Sequence, residues 1–187
     1  MRSLDEAVAA LGRERPREAV DAASRAKSLA PRSGAVREVL GMAHYRAGQY
    51  REALRELQAY RRMTGRLDQN HLIADCHRAL GAPEKAVGPA REAMAAERVP
   101  EEVRAEAAVV GGAALADAGR FDEALSLLRS HPMPSDVARD HDLRVWYVLA
   151  DVLERAGRKD DAVRAFRRIL RHDPEAYDVA ERLAALT

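Results

Sequence analysis

Apolar and small residues recur along the chain at intervals of three and four, the period of an amphipathic helix. The pattern is fullest between Trp146 and Pro174. Trp146, Leu149, Ala150 and Leu153 mark one helical face, Gly157 interrupts it, and Ala162, Phe166 and Ile169 mark a second face that Asp173 and Pro174 end. Two helices joined by a tight reversal, a helical hairpin, follow from that order.

The same register recurs upstream. Leu40, Gly41, Gly48, Tyr50, Ala53 and Leu57 repeat it, then Ile73, Ala74, Gly81, Pro83 and Ala86, then Gly111, Gly112, Leu115, Gly119, Phe121, Ala124 and Leu128. Gly48, Gly81, Gly119 and Gly157 stand where each first helix must end, a place for a residue that tolerates positive φ. The order W-x2-L-A-x2-L, then G, then A-x3-F-x2-I-x4-P resembles the tetratricopeptide repeat (TPR), with Ala150 in place of the usual glycine. The resemblance implies an all-α fold, a right-handed superhelical solenoid of about five helical hairpins plus a C-terminal capping helix. On that register the chain is one array over 1–187, with repeats at about 1–33, 34–66, 67–100, 101–134 and 135–174 and a closing helix over 175–187. The closing helix places Ala176, Val179, Ala180, Leu183 and Leu186 on the side predicted to cover the last repeat, and Glu175, Asp178, Glu181 and Arg182 on the other.

Spacing refines this picture. The key alanines at 19, 53, 86, 124 and 162 are 34, 33, 38 and 38 residues apart. The surplus in the longer steps is close to one helical turn of about 3.6 residues, which lengthens a helix without turning its buried face far out of register. Longer first helices are therefore predicted for repeats four and five, one beginning near Pro100 with Glu101 and Glu102 behind it, the other near Ser135 and Asp136 with Ser135 as cap. Small residues at Gly41, Ala53, Ala86, Ala124 and Ala162 are predicted to let paired helices approach closely. Leu57, Leu128, Trp146 and Phe166 are assigned to the core.

Composition narrows the function. With 4% aromatic and 47% apolar residues the chain suits Ala- and Leu-rich helices better than a sheet. A net charge of +1 gives no whole-chain field to draw in nucleic acid or an anionic membrane. No apolar run reaches the length of a membrane span, and the first residues lack the apolar core of a signal peptide, so a cytoplasmic protein with no membrane partner is expected. The single cysteine, Cys76, fits a reducing compartment and excludes an intrachain disulfide. Lysine occurs only at 27, 85 and 159 against many arginines, a bias expected of a GC-rich bacterial genome.

Reactive chemistry is sparse. His71 and Asp75 share a helix face, but Cys76 and His77 point elsewhere, and two ligands do not make a zinc site. His44 and His77 occupy a position the family usually fills with a packed aromatic. Gly111 and Gly112 lack the strand and the Lys-Ser/Thr of a phosphate loop. No catalytic triad, paired carboxylates or cofactor motif stands out, so no enzyme, no metal and no cofactor is expected.

The resemblance to TPR proteins implies a concave groove lined by the first helices. Its positions carry over to Glu38, Met42, Tyr45 and Arg46 in repeat two, His71, Asp75 and Arg78 in repeat three, Val109 in repeat four, and Tyr147, Asp151 and Arg155 in repeat five. Met42, Tyr45 and Tyr147 read as solvent-facing anchors for a peptide or helix of a partner protein, outside the core. The lysine-asparagine clamp of chaperone-binding relatives is not matched, since Leu4, Val8, Val39, Asp68 and Leu72 stand in its places. Leu4, Val8 and Leu11 would leave an apolar patch at the N-terminal end, open to a partner or to a second copy in a self-assembling scaffold. A further reading is a basic stripe of Arg164, Arg167, Arg168 and Arg171 on one helix face, suited to RNA phosphates, with a solvated outer face as its alternative.

Overall fold

The computed structural model describes residues 2–132 and 138–187, and these form eleven helices with no strand. The chain divides into two compact units, Met1–Ala93 and Met94–Thr187.

In the first unit α1 (Arg2–Gly12) pairs with α2 (Pro16–Leu29), α3 (Gly34–Arg46) with α4 (Tyr50–Thr64), and α5 (Asn70–Ala79) with α6 (Pro83–Ala95). Alanine dominates its core: Ala7, Ala10, Ala19, Ala22, Ala23 and Ala26 are buried between the first helices, with Leu40 packed against them. Gly41 shows why a small residue is needed, because a Cβ there would lie 2.6 Å from Leu57 Cδ2 and collide. Hairpins one and two are tied by a buried acid, Glu56 on α4, which accepts from Lys27 Nζ and Arg37 Nη1, each at 2.6 Å. Burial alone would raise the Glu56 pKa, and the two cations outweigh it and hold the carboxyl below its ordinary range.

The reversals share one geometry. At Gly48 the amide bonds back to the Tyr45 carbonyl and the next amide to the His44 carbonyl, with φ at 73°. Hairpin one closes in the same way, Glu14 N to Leu11 O and Arg15 N to Ala10 O, yet the residue in the left-handed position is Glu14, at φ 58°. A side chain there costs about 1 kcal/mol that glycine does not incur. Glu14→Gly is therefore expected to raise stability by about 1 kcal/mol, read as a higher midpoint in urea; an unchanged midpoint would mean the strain is relieved elsewhere.

In the second unit α7 (Glu101–Asp117) pairs with α8 (Phe121–Arg129) and α9 (Asp140–Arg155) with α10 (Lys159–His172), followed by α11 (Val179–Leu186). Its core holds Leu125, Leu128, Val145, Trp146, Val152, Phe166 and Ile169. Gly112 repeats the part of Gly41, with a Cβ placed 2.6 Å from Leu128 Cγ. Helix α7, at 17 residues, and α9, at 16, are longer than α3 at 13 and α5 at 10. Pro100 sits just outside α7 with an extended ψ of 150°, and acidic Glu101 and Glu102 open the helix. Ser135 lies outside the described residues. The start of α9 is instead made by Asp142, whose Oδ2 accepts the Arg139 amide at 3.0 Å, half of a capping box.

The last helix differs from its predicted extent. It begins at Val179 rather than at Glu175, because Tyr177 adopts φ 48°, incompatible with a right-handed helix. Ala176 and Val179 are buried and Leu183 and Leu186 half-buried, whereas Ala180 is exposed. Arg182, read as a solvent-side residue, turns inward.

Candidate partner-binding surfaces

First helices present the predicted groove positions, and the structure binds many of those side chains to one another. In the first unit Glu38 Oε1 accepts from Gln69 Nε2 at 2.9 Å, joining α3 to the residue that precedes α5. Tyr45 donates its hydroxyl to Asp75 Oδ2 at 2.6 Å, and Arg78 Nε donates to Asp75 Oδ1 at 3.0 Å. The Tyr45 ring also meets Tyr50 edge-on at 5.9 Å between centroids. Tyr45 is thus half-buried and bonded, not an open anchor. Burial first, and then the hydrogen bond to Asp75, push its pKa well above the ordinary phenol value. Tyr45→Phe is expected to cost about 1 kcal/mol through loss of this bond while keeping the ring contact, measured by chemical denaturation; no change would mean that water replaces Asp75 without loss.

His71 lies half-buried on α5, and its Nδ1 has no hydrogen-bond partner among the described residues. Burial lowers its pKa, which favours a neutral ring. No group of three or more His, Cys, Asp or Glu able to hold a metal occurs among the described residues. Cys76 is fully buried, and burial pushes its thiol up to about 12, so it is no nucleophile at neutral pH.

At the N-terminal end the side chains remain open. Val8 is 53% exposed, Met42 is half-buried, and Arg46 is exposed with no ion pair among the described residues. Arg46, Leu11, Glu14 and Pro16 line a shallow cleft of about 130 Å³ between the first reversal and the end of α3.

The second unit repeats the cross-helix pairing. Arg144 on α9 meets Glu106 on α7 at 2.5 Å, and Arg155 meets Asp117 at 3.1 Å. Val109 is half-buried on α7. Tyr147 and Asp151 are covered from the C-terminal side: Tyr147 donates to Asp178 Oδ1 at 2.7 Å, its ring lies 4.8 Å from that of Tyr177, and Arg182 reaches both Tyr147 and Asp151. The basic stripe is divided. Arg164 pairs with Asp161 while remaining exposed, Arg168 stacks over Trp146 at 4.0 Å, and Arg167 and Arg171 are exposed.

Two profiles, each described as a tetratricopeptide repeat, match residues 4–66 and 143–186. The chain belongs to the tetratricopeptide repeat family. Among solved structures, a thermophilic TPR protein of Thermus thermophilus is 20% identical, with a TM-score of 0.69 over 99% of this chain and 97% of that one. The C-terminal part of a TPR repeat-containing protein from Cytophaga hutchinsonii is 14% identical, with a TM-score of 0.76 over 98% of this chain and 69% of that one. The TPR protein YrrB, described as having an unusual peptide-binding site, is 16% identical, with a TM-score of 0.68 over 96% of this chain and 89% of that one. No curated protein matches the chain. The TPR chain therefore carries a protein–protein interaction module, and no described helix is long and apolar enough to cross a membrane.

Two features of this TPR chain escape a reading by family position. Arg182 on α11 and Asp178 just before it reach back to the groove residues of α9. A second cluster, His131, His141 and Asp142, is buried at the junction of α8 and α9. The sequence signal for the latter is a pair of histidines, one on each side of the Pro132–Pro134 break, the second followed directly by an acid.

Proposed function

We propose that the chain is a non-catalytic adaptor, its hairpins serving as a single array over 1–187, and that it holds a peptide or helix of a partner protein on the first-helix face of its N-terminal unit. The observation that carries this reading is the open end of that face: Val8 exposed, Leu11 and Met42 half-buried, and Arg46 with no ion pair among the described residues, beside a shallow cleft. Apolar side chains left partly in water gain about 25 cal/mol per Å² when a partner covers them, and an unpaired guanidinium beside them fixes register. Tyr45 and Tyr147, by contrast, spend their ring and hydroxyl contacts inside the chain and contribute to the shape of the face rather than to its free anchors. That YrrB is described as having a peptide-binding site, on a similar fold, agrees in kind.

Selection of a displayed peptide library on the 187-residue chain tests the assignment. Selected ligands should bind Val8→Glu/Arg46→Glu at least about tenfold more weakly, the loss of roughly one anchor's contribution, with the melting temperature retained because both side chains are exposed. Ligands insensitive to that change would place the interaction elsewhere.

A further inference from the structure

The guanidinium of Arg182 sits in a pocket that its own short helix does little else to fill. Nη2 donates to Asp151 Oδ1 at 2.9 Å and to Glu154 Oε2 at 2.6 Å, and Nη1 donates to the Tyr147 hydroxyl at 3.2 Å. Its Cζ lies 5.0 Å from the centroid of the Phe166 ring and 5.6 Å from that of Tyr147. Two carboxylates, a phenol and an aromatic wall are the chemistry that recognises a flat, delocalised cation, and a lysine ammonium matches it poorly. Among the described residues Arg139 and Arg155 also meet two carboxylates each, but their side chains are 52% and 39% exposed. Arg144 meets a single carboxylate and its side chain is 51% exposed, against 19% for Arg182.

The element that delivers Arg182 is weakly founded. Helix α11 has eight residues, too few to be stable alone. Val179 is its one buried residue, and the chain enters it through Tyr177, a residue at positive φ that is 55% exposed. A short tether keeps such a helix at an effective concentration on the order of millimolar over its site, so it competes in cis without being permanently fixed.

We propose that Tyr147, Asp151, Glu154 and Phe166 form a guanidinium-binding slot, that Arg182 of α11 is its resident occupant, and that an arginine-bearing segment of a partner protein takes the slot when α11 is displaced. This rests on the reading that first-helix faces bind partner segments, and it names the side chain recognised. Helix α11 then acts as a built-in competitor that sets a threshold on partner affinity.

The test uses the 187-residue chain and, as probe, a fluorescent peptide copying residues 174–187, beside the same peptide with Arg182→Gln. The R182A chain should bind the arginine peptide at least about tenfold more tightly than the wild-type chain does, because the in-cis competitor is removed. It should also prefer that peptide over the glutamine peptide by at least about tenfold, as expected for a charge-assisted contact. Asp151→Asn/Glu154→Gln added to R182A should abolish the preference. R182K supplies a chain with its charge and fold retained, in which the preference for the arginine peptide persists at a smaller size. Equal binding of the two peptides by R182A and R182K, or binding of neither, overturns the proposal. The Val8→Glu/Arg46→Glu change should leave the peptide preference untouched, so failure of the N-terminal reading and failure of the slot give different results.

Discussion

Phe166→Ala will lower the unfolding free energy by about 3–5 kcal/mol, the cost of emptying a fully buried aromatic site. Phe166 has no exposed surface, meets the Tyr147 ring edge-on at 6.3 Å, and backs the Arg182 guanidinium at 5.0 Å. Removing the ring leaves a cavity between α9 and α10 and strips the aromatic wall from the slot, so the loss has two parts. Phe166→Leu, which keeps most of the volume, is expected to cost less than about 1.5 kcal/mol while still weakening the docking of α11. Urea denaturation reads the first effect, and hydrogen exchange of the α11 amides reads the second. If the alanine variant loses less than about 1 kcal/mol, the helices have collapsed onto the site. If α11 exchange is unaltered in both variants, the ring does not support Arg182.

The repeat pattern makes the hairpins legible because their contacts are local. Gly41 against Leu57 and Gly112 against Leu128 couple residues sixteen apart in the same hairpin, and the recurring small residue at one register position reveals that approach without coordinates. The longer step between Ala86 and Ala124 likewise announces the longer α7, since a whole turn is the one insertion that preserves its buried face. What stays hidden is the chemistry between hairpins. Tyr45 finds Asp75 thirty residues away, and Arg182 finds Asp151 at thirty-one. A polar residue on a groove position looks solvated in sequence whether or not the next first helix carries its partner, and the family register says only that it faces the groove. Hence Tyr45 and Tyr147 read as open anchors although they are half-buried and bonded. Glu14 is hidden for a different reason: nothing in its side chain signals a left-handed backbone, and only the hydrogen bonds shared with the Gly48 reversal place it there.

Asp142→Ala is expected to cost about 3 kcal/mol, and the charge that it removes gives the chain part of its acid sensitivity. The carboxylate has no exposed surface and serves three residues at once. Oδ2 accepts the Arg139 amide at the start of α9, a cap whose loss costs about 1 kcal/mol. Oδ1 lies 3.3 Å from His131 Nε2 at the end of α8, and without it that buried nitrogen loses its partner, at about 1–3 kcal/mol. His141 Nε2 stands 3.7 Å from the same oxygen. Burial by itself would raise the Asp142 pKa; the Arg139 amide, the His131 hydrogen bond and the charges of His141 and Arg139 outweigh it and hold the carboxyl below its ordinary value of about 3.9. A folded-state pKa below the unfolded one means that the stabilisation is complete above the unfolded value and disappears as pH falls through the folded value. Asp142→Asn keeps the shape but cannot titrate. The stability gap between wild type and this variant should therefore be widest near about pH 7 and narrow as the pH is brought below the unfolded carboxylate value, to about 3, measured by urea denaturation at each pH. A gap that stays constant over that range would mean that Asp142 acts through its shape and its cap alone, and that the buried histidines on either side of it draw nothing from its charge.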